Sequence, residues 1–177
     1  MKHITLALLC VILLVTPAAP QGTKEPPSLV IAGVTLQIGM LKEGVLAKLS
    51  RTCKLTEGSD NRFTIMRKFE TDDFTFLGSI TFTADKVSLV QKHWLLNNDT
   101  PSADDLADAI FAVVSHLEEI NETVTELKTR TLRDAGFSAH EVIIRTGHRQ
   151  VVIVKDMLGK NRIIQVDEYI SAKPWNY

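Results

Sequence analysis

The stretch SADDLADAIFAVVSHLEEINETVTELKTRTLRDAG, Ser102–Gly136, decides which fold class this chain is given. Apolar residues fall at Leu106, Ile110, Val113, Leu117, Ile120, Val124 and Leu127, in alternating steps of four and three. That spacing is one face of a helix sustained over three heptads. Ser102 with Asp105 three residues on is a capping-box-like start. Arg130 and Arg133 suit a helix C-terminus, and Gly136 is a stop signal. The stretch therefore reads as one long helix, although Thr123, Val124, Thr125, Thr129 and Thr131 make its second half rich in β-branched residues. A stripe of this kind could pair two copies as a coiled coil over Leu106–Leu127. Packing on a sheet of the same chain asks for the same pattern and is the preferred reading.

On either side of this helix the pattern changes to that of strands. Leu29–Ile38 alternates, with Val30, Ala32, Val34, Leu36 and Ile38 apolar, and reads as one strand weakened by Gly33. Met40–Ser50 carries a helical stripe of Leu41, Val45, Leu46 and Leu49. Arg62–Phe69 places Phe63, Ile65 and Phe69 on one strand face, between the turn clusters Gly58–Asn61 and Thr71–Asp73. The clearest strand follows, with Phe74, Phe76, Gly78, Ile80, Phe82 and Ala84 on one face and Thr75, Ser79, Thr81 and Thr83 on the other. Asp85 and Lys86 turn the chain into Val87–Leu96. Beyond the helix come His140–Thr146 and Arg149–Lys155, hinged at Gly147-His148 as a two-residue hairpin, and then Arg162–Ile170.

These elements predict an α+β fold, with helices packed on one face of an antiparallel β-meander; their order also allows two helix-plus-meander units of about seventy residues. The expected divisions are a signal peptide over 1–18, a flexible leader over 19–28, an α+β unit over 29–97, and a long helix plus three-stranded meander over 102–172 sharing one core with it.

The first twenty residues carry an address. Lys2 and His3 precede an apolar run from Ile4 to Val15, broken by Thr5 alone, and Thr16-Pro17-Ala18 supplies small residues for cleavage after Ala18. The run is shorter than the ~20 residues that span a bilayer, and no later segment is longer. A periplasmic or secreted protein without an integral span is expected. Cys10 follows Leu8-Leu9, which is not a lipobox, so no lipid tether is expected. Cys53 then stands alone and reads as a buried structural thiol.

The chain has 20 basic and 21 acidic residues, a formal charge of −1. No basic patch suggests nucleic acid.

The run Leu36-Gln37-Ile38-Gly39-Met40 with Glu43, Val45 and Leu49, and the run Gly78-Ser79-Ile80-Thr81-Phe82 with Lys86, Val87 and Val90, resemble the BamE-like (SmpA/OmlA) small envelope domains. The likeness covers about residues 30–94 and its motifs are short and structural. Members of that family are small envelope proteins, and the related β-lactamase-inhibitor fold holds two such units and acts by binding. The resemblance implies interaction rather than catalysis. This chain lacks the lipobox of the assembly lipoprotein and runs some eighty residues past the match.

No nucleophile motif, phosphate-cradling loop or dinucleotide fingerprint occurs. His93, His116, His140 and His148 lack the short spacing of a metal site, so neither a metal nor a cofactor is expected. Asp104-Asp105 sits in a helix's first turn and Asp72-Asp73 in a turn, where structural roles suffice. Trp94, Trp175 and Tyr177 are candidate interface anchors, and His148 at a turn tip joins them as a candidate binding residue. The expectation is an exported, non-enzymatic protein that binds another envelope or extracellular protein. The alternatives are an exported enzyme, such as a hydrolase built around His140 and His148, and a carrier of a small apolar ligand.

Overall fold

The computed structural model describes residues 25–68, 74–94, 103–134, 137–158 and 161–175. The expected signal peptide with Cys10, Phe69, the Thr71–Asp73 turn, Ser102, Gly136 and Tyr177 lie outside them. Among the described residues are ten strands and two helices. β1 (Ser28–Ile31) and β2 (Val34–Gln37) form a hairpin, followed by α1 (Lys42–Leu49), β3 (Lys54–Glu57), β4 (Arg62–Lys68), β5 (Phe74–Thr83) and β6 (Lys86–Trp94). Then come α2 (Ala103–Glu119), β7 (Glu126–Asp134), β8 (Phe137–Arg145), β9 (Arg149–Leu158) and β10 (Asn161–Ser171).

β3 to β10 make one eight-stranded antiparallel sheet in the order β3-β4-β5-β6-β10-β9-β8-β7. Two four-stranded meanders thus meet through their last strands, β6 and β10, and the order reads alike from either edge. More than half of the structure is strand. This overturns the α+β class expected from the sequence: the protein is mainly β, and the helices among the described residues are two short segments of 8 and 17 residues.

The long helix is where that expectation failed. α2 stops at Glu119. Asn121 takes a left-handed φ of 54°, the Glu122 N–H bonds the Leu117 carbonyl at 2.9 Å, and the Asn121 N–H bonds the Glu118 carbonyl at 3.0 Å. That pair of bonds is a Schellman stop. The residues beyond it form edge strand β7. Val113 and Leu117 are buried inside their own molecule, while Val124 and Leu127 lie past the helix and are exposed. No three-heptad seam exists for two copies to share.

Two further strand readings change. Ala32 and Gly33 both have positive φ, 50° and 78°, so the expected single strand Leu29–Ile38 folds back as a two-residue hairpin. In β5 the register with β4 skips from Ile65↔Gly78 to Met66↔Phe76. This bulge at Leu77 reverses the alternation. Leu77 joins Ile80 and Phe82 in the core, and Phe76 passes to the opposite face.

The core lies in two clusters on one face of the sheet. Leu36 of β2, Val45 and Leu49 of α1, Ile65, Ile80, Val90 and Ile170 build the first. Val113 and Leu117 of α2, Val151, Ile153, Ile164 and Val166 build the second. β10 contributes to both.

Candidate functional site

Between Val166 and Ile170, in the same inward phase of β10, stands Glu168, which is fully buried. Its Oε2 accepts a hydrogen bond from Trp94 Nε1 at 3.1 Å, and its Oε1 lies 3.1 Å from His116 Nε2 of α2. The Arg149 guanidinium donates to the same Oε1 and, through Nη2, to the Ser28 carbonyl at 3.1 Å. A buried carboxylate is tolerated only when paired in this way. The network ties β1, β6, β9, β10 and α2 together at the seam between the two core clusters.

The other face of the sheet is packed on by neither described helix. Strand register aligns Thr64, Ser79, Gln91, Tyr169, Gln150, Arg145 and Glu126 in one row across it. Arg62 donates to Ser79 Oγ at 3.1 Å and to Gln91 Oε1 at 2.9 Å, and Ser79 donates to the same oxygen at 3.0 Å. Arg145 donates to Gln150 Oε1 at 2.7 Å and to Glu126. Lys128 first, and Arg145 after it, hold the Glu126 carboxyl below its ordinary range. In the adjoining row His93 Nδ1 lies 3.0 Å from Asp167 Oδ1, with the Phe76 ring 5.6 Å from the imidazole. Tyr169 meets Trp175 edge-on at 6.2 Å. Burial, and then the Asp167 carboxylate, push the Tyr169 phenol up to about 12.

At one end of this face the C-terminal segment continues alongside β6, with the Ala172 N–H bonded to the Ser88 carbonyl at 2.8 Å. A groove of about 570 Å³ opens there, floored by Ile38, Val87, Leu89 and Ala172 and walled by Trp175. Lys86 and Lys173 also line it.

Of the residues singled out in the sequence, Trp94 lies in the Glu168 network and Trp175 in the groove wall. Tyr177 is outside the described residues. His148 is exposed at the turn between β8 and β9, where its Nδ1 is 3.0 Å from the Ser171 carbonyl and donates to it. His140 sits within β8 beside Thr131, 3.2 Å away, so the two histidines are not brought together. Cys53 is a free, partly buried thiol packed against the first cluster. Among the described residues no three His, Cys, Asp or Glu side chains gather as a metal ion requires. No helix among them is long and apolar enough to cross a membrane.

Glu168, Arg149, Gln91 and Arg62 were not anticipated. One signal was present: in Ile164-Gln165-Val166-Asp167-Glu168-Tyr169-Ile170 the glutamate falls in the apolar phase. No family model matches the chain, and no curated protein or solved structure shows significant similarity to it.

Proposed function

We propose that this is an exported, non-enzymatic protein that binds another protein of the cell envelope or extracellular space through the uncovered face of its sheet. The observation that carries the reading is the one-sidedness of the described residues. α1, α2 and the β1–β2 hairpin all pack on one face, and the other presents a cross-strand row whose polar groups bond one another. Side chains already fixed by such bonds lose little freedom on docking, which lowers the cost of association. Tyr169 and Trp175 supply the rigid aromatic area that dominates interface energetics. The basic, apolar and small-residue succession of Met1–Ala18 supports export, and the likeness of residues 30–94 to BamE-like envelope domains supports binding over catalysis.

The test is cross-linking in the envelope fraction and the medium, compared with Val154→Lys. Val154 lies on the uncovered face opposite Glu141 and Gln165, and a lysine there places a bulky charge on the surface without entering either core. Expected is a discrete cross-linked species lost in the variant. A protein that stays solitary, or a species indifferent to Val154→Lys, would remove the reading. Export is tested separately: the mature chain should begin at Ala19, and a protein retained inside the cell with Met1–Ala18 intact would refute it.

A further inference from the structure

The groove beneath the C-terminal segment has features that the partner-binding reading does not use. Its volume of about 570 Å³ falls within the ~300–1,000 Å³ of small-molecule sites. Ile38, Val87, Leu89 and Ala172 give it an apolar floor. Trp175 Nε1 is buried and has no acceptor among the described residues, and a buried donor costs free energy unless something accepts from it. The ammonium groups of Lys86 and Lys173 make no ion pair among the described residues, and both residues line the groove. An apolar trough, an indole N–H and two positive charges, none of them partnered among the described residues, define complementary chemistry.

We propose that the groove binds a single-chain amphiphile with an anionic headgroup, a fatty acid being the simplest case. The alkyl chain lies along Ile38, Val87 and Leu89. The headgroup takes a hydrogen bond from Trp175 Nε1 and is neutralised by Lys86 and Lys173. A charge-assisted hydrogen bond of this kind is stronger than a neutral one.

The protein has two tryptophans, and one of them lines the site, so it reports its own ligand. Purified protein is titrated with a fatty acid brominated on its chain, bromine quenching an indole it touches. Saturable quenching is expected. It should be lost in Trp175→Phe and kept in Trp94→Phe; should Trp94→Phe not fold, the loss in Trp175→Phe carries the assignment alone. Each added methylene should tighten binding about fourfold. The matching uncharged methyl ester should bind at least ~10-fold more weakly, as should the fatty acid to Lys86→Gln/Lys173→Gln, a surface change with an unaltered unfolding midpoint. An alkyl phosphate of the same chain length separates the headgroups: tighter binding of the phosphate points to a phospholipid source, tighter binding of the carboxylate to a free acid, and either supports the site. Absence of saturable quenching, equal binding of acid and ester, or quenching that survives Trp175→Phe would overturn it.

Discussion

At Gly78 the backbone φ is 150°, and a β-carbon there would lie 2.0 Å from the Gln91 carbonyl oxygen. The neighbour is backbone and cannot give way. Gly78→Ala should therefore cost about 2 kcal/mol or more, read as a lowered urea midpoint; an unchanged midpoint would mean the bulge does not need glycine. Glu168 is the second residue on which much rests. Glu168→Gln leaves the buried Arg149 without its counter-charge and should cost about 3–5 kcal/mol. Arg149→Met combined with Glu168→Met removes both charges, and should cost less than Glu168→Gln alone. Tyr169 sets a pH limit. Its phenol is raised to about 12 in the fold against about 10 in an unfolded chain, so folding favours the neutral form. That contribution is complete below pH ~10 and is lost as pH rises from 10 through 12. In Tyr177→Phe, which leaves one tyrosine, tyrosinate absorbance should appear near pH 12. A midpoint near 10 would contradict the burial of Tyr169.

Among the elements, the segment after α2 shows what a sequence can and cannot say. The four-three spacing from Leu106 to Leu117 is a genuine helical signal, and those positions do face the second core cluster. The same spacing continued to Leu127 by coincidence. Asn121, tolerant of left-handed backbone, and the threonines behind it carried the opposing signal, which a count of apolar positions does not weigh. Asn121→Gly should keep or slightly raise stability, whereas Asn121→Ile, β-branched at φ 54°, should cost more than 1 kcal/mol. Equal midpoints for the two would argue that the Schellman stop contributes nothing. Strand existence was legible for β4, β5, β6, β8, β9 and β10 because alternation is local, whereas edge strand β7 was read as the end of the helix. The phase of β5 was not, since a bulge is set by the neighbouring strand, and with it went the identity of the uncovered face. Trp175 could be singled out as a candidate interface anchor, but its groove depends on Ile38 and Leu89, which only long-range pairing with β6 brings near it.

For the whole molecule the decisive junction is β6 against β10. Pairing runs from Val166↔Trp94 to Ser171↔Leu89. β10 gives Ile170 to one core cluster and Ile164 and Val166 to the other, with the Glu168 network between them. Neither cluster can open without exposing part of a strand that the other needs. The nearest couplings available to the two halves, a continuous antiparallel sheet and a buried charge network, both cross this seam. Unfolding should therefore be a single transition, with tryptophan fluorescence, to which Trp94 at the seam contributes, and far-ultraviolet circular dichroism falling together along urea. Replacing Glu168 by Ala should weaken the seam while leaving the apolar side chains of both clusters in place. The fluorescence curve should then move to lower urea ahead of the dichroism curve. Two separate transitions in the unaltered protein would show instead that the halves fold independently and that the seam is only a contact between them.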